Sequence, residues 1–201
     1  MSNLLAILSS YLIGSIPFSH LFAKLKGKNI QQEGTKNVGA TNALVVAGPL
    51  VGALAWVGDV GKGFIVVFLA LRFGLSPWVV TFMALASIVG HDFSIFLKFK
   101  GGKGVATTGG ALIAFDPVFG ILVFVFWILT ILVTRYFIPS TIIVLAGLPV
   151  AMLVLGMRSE VIVFGLGAFL LAVYTHRHDL KRLLSGQELR TDAAINKYMD
   201  R

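Results

Sequence analysis

The sequence predicts an all-α integral membrane protein with seven transmembrane helices. These helices form a single membrane-embedded domain over residues 1–201. Its residues are 57% hydrophobic and only 13% charged, and their mean hydropathy is +0.89. Soluble domains carry about 25% charged residues, roughly twice this share. A soluble core of this size cannot hide so much apolar surface, so lipid must solvate much of the chain.

Composition also excludes several classes of site. The chain has no cysteine, which excludes disulfides, thiolate metal sites and a cysteine nucleophile. Its histidines and carboxylates lack metal-site spacing, and we expect neither a metal nor another cofactor. The net charge is +8, but the basic residues lie between apolar segments. We therefore do not expect a nucleic acid as partner.

Seven apolar segments are the candidates for crossing helices. They are residues 4–23, 62–73, 77–97, 105–115, 117–134, 138–157 and 161–174. The first is not a convincing signal peptide, because no basic residue precedes it and Pro17 and His20 interrupt its second half. Residues 105–115 fall short of the about 20 residues that a crossing needs, so we expect a thin or broken helix there. Residues 43–57 are also short, and we expect an interfacial or re-entrant segment.

Charge predicts the orientation, with the N-terminus outside and the C-terminus in the cytoplasm. In this arrangement the inner segments hold 15 of the 17 Lys and Arg residues, and only Arg72 and Arg158 lie outside. The positive-inside tendency favours this arrangement over its inverse. It also brings four unusual polar segments to one face, so we expect a single cytoplasmic site. These segments are residues 33–42, 59–63, 98–107 and 176–190.

The segment 98–107 combines lysines with glycines at a membrane boundary. It contains Lys100, Gly101, Gly102, Lys103 and Gly104. Glycines expose backbone N–H groups and lysines add positive charge, so the combination favours an anion such as phosphate. The alternative is a flexible basic connector at the lipid headgroups.

Two further segments have the same polar character. Residues 33–42 lead into an apolar helix, whose free N–H groups and dipole favour an anion. The alternative is ordinary capping chemistry, with Thr41 or Asn42 as the N-cap. In residues 59–63, Asp59 and Lys62 either pair at a helix end or add Lys62 to the same positive field.

Two histidines lie at predicted helix ends. His91 is near the inner end of an apolar span, where ionisable side chains usually face a cavity, a partner or a pathway. The alternative is a hydrogen bond to a neighbouring helix. His176 follows the last span and opens a basic stretch, which commonly contacts anionic lipid.

Six motifs occur here in the order in which one family carries them. They are Gly14-Ser15-Ile16-Pro17-Phe18, Asn37-Val38-Gly39-Ala40-Thr41-Asn42, Asp59 with Lys62-Gly63, Gly90-His91, Phe99 to Thr107, and His176-Arg177 through Leu183-Leu184 to Glu188. On these residues the chain resembles the bacterial acyl-phosphate:glycerol-3-phosphate acyltransferases, the PlsY family, over nearly its whole length. The most specific motif is the run from Phe99 to Thr107.

The resemblance implies a seven-span enzyme of the bacterial inner membrane with a cytoplasmic active site. It implies transfer of a fatty acyl group from acyl phosphate to the sn-1 hydroxyl of glycerol 3-phosphate, giving lysophosphatidate and phosphate in phospholipid biosynthesis. The expected partners are these two substrates and membrane lipid. The family uses no metal or other cofactor, and the oligomeric state stays open.

The resemblance and the chemistry together imply roles for individual residues. Lys103 and the surrounding amides bind phosphate and stabilise developing negative charge. His176 orients or deprotonates the attacking hydroxyl, unless a substrate phosphate oxygen takes that proton. The substrate-binding candidates are Thr35, Lys36, Asn37, Gly39, Thr41, Asn42, Lys62, His91, Lys100, Gly101, Gly102, Gly104, Ser140, Thr141, Arg177 and Asp179.

Three positions depart from the family pattern. The usual Gly-Ser-Gly-Asn is here Gly34-Thr35-Lys36-Asn37. Val45 stands where the family commonly has a basic residue, and Asp179 stands where it usually has Asn. The loss of one cation and the gain of one anion weaken the binding of a doubly charged phosphate unless Lys36 compensates. If the acceptor is glycerol 3-phosphate, Asp179 either points away from its phosphate or is offset by Lys36 or Arg177. A divergent paralogue with another acceptor is one alternative. An anion or lipid transporter is another, although the expected paired discontinuous helices are missing from the sequence.

Overall fold

A computed structural model of the chain describes residues 2–188, 190, 191 and 193. These residues form ten α-helices and one short 3₁₀ helix, Ile95–Leu97. The α-helices are α1 Asn3–Ser15, α2 Phe18–Leu25, α3 Ala40–Ala47, α4 Pro49–Arg72, α5 Pro77–Asp92, α6 Val105–Phe115, α7 Pro117–Thr134, α8 Phe137–Val154, α9 Ser159–Thr175 and α10 Arg177–Leu184.

The all-α membrane architecture is confirmed, because most of these helices are apolar. Five helical segments of the described chain are long and apolar enough to cross a bilayer: α1 with α2, α4, α5 with the 3₁₀ helix, α7 and α8. The pair α9 and α10, bent by 64°, gives a sixth. Helix α6 has only 11 residues, so the short helix predicted at 105–115 is confirmed. The number of crossings and the orientation stay predictions.

The predicted boundaries around residue 50 are wrong. Residues 43–57 are not a separate segment, because α3 ends at Ala47 and α4 runs unbroken for 24 residues from Pro49. Gly48 separates the two helices with a φ of 92°, which favours glycine, and proline suits the first helical position. Lys62 therefore lies inside α4 and no longer counts among the basic residues of the predicted inner segments. The predicted excess of Lys and Arg in the inner segments over the outer ones is still strong.

Small residues bring the central helices close together. A Cβ added at Gly63 lies 2.0 Å from the Thr107 carbonyl oxygen, and one added at Gly110 lies 1.9 Å from the Val60 carbonyl oxygen. Backbones this close let α4 and α6 pack tightly, as small residues commonly do between membrane helices. The short helix α6 is thereby fixed against α4, and the N-terminus of α6 lines a cavity between the helices.

Candidate active site

One cavity joins the polar segments of the chain to its apolar interior. It has a volume of about 570 Å³ and lies between α4, α6, α7 and α8, with α10 and residues 35–45 around its polar end. Its polar lining includes Thr35, Lys36, Asn37, Thr41, Asp59, His91, Lys103, Thr141, His176, His178, Asp179, Arg182, Glu188 and Thr191. Its apolar arm includes Trp56, Leu112, Ile113, Ile121, Phe124, Trp127, Ile138, Val144 and Leu145.

The glycine run forms a folded-back loop at the N-terminus of α6. The Gly101 N–H donates to the Asp92 carbonyl and the Gly102 N–H to the His91 carbonyl, both at 3.0 Å. Gly104 caps the helix with a φ of 72°, a conformation in which a side chain is strained. The loop therefore carries Lys103 to the cavity, while Gly101 and Gly102 support it from behind.

Asn42 organises the other wall of the polar end. Its Oδ1 accepts from the Thr35 N–H at 2.8 Å, and its Nδ2 donates to the Ile30 carbonyl at 2.8 Å and the Asn37 carbonyl at 2.9 Å. Gly39, and not Thr41 or Asn42, is the residue that caps α3. The predicted capping role was therefore wrong, because the Asn42 amide closes the loop across several residues.

Three histidines line the cavity, and two of them, His91 and His176, are buried. The His176 Nδ1 lies 2.8 Å from the Ala172 carbonyl, which places the ring proton on Nδ1. Its Nε2 is fully buried and has no hydrogen-bond partner in the described part of the chain, so this acceptor is available to a ligand. The His91 Nδ1 lies 3.4 Å from Asp59 Oδ1.

Asp179 is a central charge of the polar end. It forms ion pairs with Lys103 and with Arg182, and Arg182 also contacts Glu188 at 3.1 Å. The cations that pair with this carboxylate are Lys103 and Arg182, whereas Lys36 and Arg177 were the candidates that the sequence offered, beside a carboxylate that points away from the phosphate. Arg182 lies three positions after Asp179 on α10, so helical spacing brings the two together.

Several predicted site residues lie outside the cavity lining. Lys62 is buried behind Asp59, Lys100 is exposed, and the Arg177 guanidinium stacks 4.3 Å from the Tyr174 ring centroid. The buried Ser140 hydroxyl donates to the Tyr136 carbonyl at 2.7 Å.

Thr141 lies in the cavity lining one residue further along. Its hydroxyl accepts from the Trp127 indole N–H at 3.0 Å and donates to the Phe137 carbonyl at 2.9 Å. Both of its hydrogen-bonding functions are thus engaged within the protein, so Thr141 also fixes an aromatic ring of the apolar arm.

Sequence reasoning missed Asp59, Arg182 and Glu188 as cavity residues, together with the whole apolar arm. The i, i+3 spacing of Asp179 and Arg182 carried a usable signal. The apolar arm carried none, because its side chains are of the same types as those that face lipid. Within the described ranges, no three His, Asp or Glu side chains are grouped so as to hold a metal ion.

The fold and the cavity define an integral membrane protein with one cavity that is polar at one end and apolar at the other. The sequence model of the family "Glycerol-3-phosphate acyltransferase" matches residues 4–186. A glycerol-3-phosphate acyltransferase of Thermosipho melanesiensis is 40% identical, covering 96% of this chain and 94% of that one. One of Aquifex aeolicus is 38% identical, covering 94% and 100%. This chain belongs to the glycerol-3-phosphate acyltransferase family.

Solved structures of a relative agree with this assignment. The crystal structure of PlsY (YgiH), an integral membrane glycerol 3-phosphate acyltransferase, in its glycerol 3-phosphate form matches with a TM-score of 0.89 and 38% identity, covering 94% of this chain and 96% of that one. The lysophosphatidic acid form matches with a TM-score of 0.88 and 36% identity, covering 97% and 99%. The fold is therefore shared over almost the full length of both chains.

Proposed function

We propose that this protein transfers a fatty acyl group from acyl phosphate to the sn-1 hydroxyl of glycerol 3-phosphate, giving lysophosphatidate and phosphate. The observation that carries the proposal is the continuity of a polar end, whose lining contains Lys36, Lys103 and Arg182, with an apolar arm in one cavity. Both substrates bear phosphate, and one bears a long acyl chain. The solved relative is named as a glycerol 3-phosphate acyltransferase, and its structures are of a glycerol 3-phosphate form and a lysophosphatidic acid form. These names support the proposed acceptor and product.

Phosphate binding is assigned to Lys103 and the loop around it. Lys103 is about one-fifth exposed and pairs with Asp179 in this ligand-free arrangement. A phosphate dianion is a stronger competitor than one carboxylate for this ammonium group, since it offers more charge and more acceptor oxygens. Lys36, Thr35 and Asn37 line the opposite wall, so the phosphate lies between two polar segments.

The transfer step needs no covalent enzyme intermediate. The acceptor hydroxyl oxygen attacks the acyl carbonyl carbon, the bond from that carbon to the phosphate oxygen breaks, and phosphate leaves with the electron pair. The hydroxyl proton passes to His176 Nε2, a buried acceptor without a hydrogen-bond partner among the described residues. A substrate phosphate oxygen is the other acceptor for this proton. Alignment of the reactants and stabilisation of the developing charge supply the rate enhancement.

The acyl chain is assigned to the apolar arm, whose walls include Trp56, Phe124 and Trp127. The Trp56 and Phe124 rings, 5.9 Å apart, connect α4 with α7. Helix α7 is otherwise almost wholly exposed and has a mean hydropathy of 2.5, as expected of a helix in lipid. A donor that dissolves in the bilayer thus has an apolar route to the polar end.

The decisive experiment uses purified protein with acyl phosphate and glycerol 3-phosphate. We expect release of phosphate and formation of lysophosphatidate, with little product when acyl-CoA replaces acyl phosphate. Reactions without glycerol 3-phosphate control for hydrolysis of the donor. Acyl transfer from acyl-CoA alone would exclude the proposed donor, and no transfer from either donor would favour the transporter alternative.

The orientation is proposed as N-terminus outside, with the site facing the cytoplasm, and it predicts a labelling pattern. Ser76, Ser159, Gln32 and Gln187 are all exposed, so single cysteines there are accessible in this cysteine-free chain. Cysteines at 76 and 159 should react with an impermeant thiol reagent outside intact cells, and those at 32 and 187 only after lysis. Labelling of residue 187 from outside would invert the proposed topology.

The departures at Val45 and Asp179 predict a change in acceptor affinity. Both residues line the cavity, and removing an anion while adding a cation favours a dianionic ligand. Asp179→Asn with Val45→Arg should keep turnover and lower the KM for glycerol 3-phosphate about 2- to 5-fold, as expected for a partly exposed charge.

The same double substitution tests the paralogue alternative. If the natural acceptor is neutral or cationic near Asp179, the unmodified protein should use glycerol 3-phosphate poorly and the double variant should gain that activity. Robust activity that neither substitution changes would show that the two positions do not select the acceptor. Steady-state kinetics on the single and double variants distinguish these results.

A further inference from the structure

A buried ionic cluster lies at the polar end of the cavity, with Asp59 and His91 in the cavity lining and Lys62 behind them. The side chains of Asp59 and Lys62 are each only 2% exposed, and the Lys62 Nζ lies 3.0 Å from Asp59 Oδ1. The Ser19 hydroxyl donates to Asp59 Oδ2 at 3.0 Å, and the His91 Nδ1 lies 3.4 Å from Asp59 Oδ1. Asp59 thus links three helices, and its carboxylate holds the His91 ring from the side opposite to the loop.

His91 carries this cluster to the phosphate loop through two contacts. Its carbonyl accepts the Gly102 N–H at 3.0 Å. Its ring lies against the same residue, because a Cβ added at Gly102 meets His91 Nε2 at 2.1 Å. That added atom also meets the Val38 carbonyl oxygen at 2.7 Å. Gly102 is therefore confined between the His91 ring and residue 38, immediately before Lys103.

Burying charged groups inside an apolar helix has a cost in folding free energy, so their presence there calls for a functional explanation. Removing each ion of a pair from water costs several kcal/mol, which mutual attraction offsets only in part. Ionisable residues within membrane helices therefore commonly serve a functional site. Lys62 does not line the cavity, so its contribution passes through Asp59 and the Ile16 carbonyl, to which its Nζ donates at 3.0 Å.

We propose that Asp59, Lys62 and His91 act as positioning residues for the phosphate loop. Lys62 and Ser19 fix the Asp59 carboxylate, the carboxylate fixes the His91 ring, and His91 sets the place of Gly102. Lys103 is thereby aimed at the substrate phosphate before it binds. This role rests on the proposed function and assigns it a set of residues behind the reacting groups.

The test separates positioning from a merely structural role. Asp59→Asn alone leaves the Lys62 ammonium buried without its partner, which strongly destabilises a protein. The paired change Asp59→Asn with Lys62→Met removes both charges, and His91→Gln leaves the ion pair intact. Thr81→Val is the matched control, since it removes a buried 2.9 Å hydrogen bond to the Glu160 carbonyl from the other end of α5.

We expect both cluster variants to raise the KM for glycerol 3-phosphate at least about tenfold and to lower kcat/KM on the order of 10², as a misplacement of about 1 Å does. The rise in Tm caused by inorganic phosphate should shrink with them. Thr81→Val should lower Tm while keeping the wild-type KM and phosphate response. Combining His91→Gln with the Asp59 and Lys62 changes should add little, because all act through one ring.

Wild-type KM and phosphate response in both cluster variants would overturn the positioning role. If the wild-type protein transfers no acyl group to glycerol 3-phosphate, the proposed function fails, and the phosphate-induced Tm shift still decides the positioning role. Absence of that shift in the wild-type protein would remove the phosphate site and the positioning role with it.

Discussion

His176→Ala is expected to lower turnover by roughly 10²–10⁴, the range typical of a lost general base. The ring is buried, its Nδ1 is held by the Ala172 carbonyl, and its Nε2 has no hydrogen-bond partner among the described residues. That nitrogen is therefore available to a ligand in the cavity. The loss should therefore appear in kcat at saturating concentrations of both substrates. The Tm of the detergent-solubilised variant shows whether it is folded.

Two replacements of His176 separate proton transfer from orientation. Asn places an amide donor near Nδ1 and can keep the bond to Ala172, whereas Gln places a polar group near Nε2 without its basicity. If His176 is the base, Asn and Gln variants should both lose turnover. If it only orients the hydroxyl, the Gln variant should keep most of it. Near-full turnover in a folded His176→Ala protein would assign the proton to a substrate phosphate oxygen.

The boundaries of α7 were predictable from local chemistry alone. The sequence predicts residues 117–134, and the helix is Pro117–Thr134. Asp116 caps it by accepting the Phe119 N–H at 3.0 Å, and Arg135 ends it in the left-handed conformation. Both signals lie within a few residues of the helix, and the apolar run between them has no charged residue.

Helix α4 was not predictable in the same way, because its polar residues find partners far away in the chain. Asp59 and Lys62 lower the local hydropathy and mimic the end of a helix. Inside the fold they pair with each other and with Ser19 and the Ile16 carbonyl. The continuity of α4 is thus decided by tertiary contacts that a window of sequence does not contain.

The site shows the same division between local and distant information. The glycine and lysine run at 99–107 indicated a phosphate loop from composition alone, and the loop does reach the cavity. The ion pair of Lys103 with Asp179 joins residues 76 positions apart, and composition does not encode such a distance. Asn42 was predictable as a polar residue of the loop, but its three carbonyl partners depend on the folded path of residues 30–37.

Lys103→Ala is the second substitution with a large expected effect, a loss on the order of 10²–10³ in kcat/KM for the acyl transfer. This is the usual cost of removing one preorganised charge contact to the transition state. The glycine loop carries Lys103 to the cavity, and Lys103 is the charged residue of this loop that lines the cavity. Steady-state kinetics with each substrate varied in turn measure the loss.

The partner of Lys103 makes this prediction sharper. In Lys103→Ala, Asp179 keeps Arg182 but faces the phosphate without the ammonium that offset it. Adding Asp179→Asn should therefore restore part of the affinity for glycerol 3-phosphate, but not the turnover that depends on the charge of Lys103. Lys181→Ala, which removes an exposed cation from α10, controls for net charge and should change kcat/KM by less than about twofold. Full recovery of turnover in the Lys103→Ala, Asp179→Asn protein would contradict a direct role of Lys103. It would mean that the lysine serves only to neutralise Asp179, and the loop N–H groups would then carry phosphate binding alone.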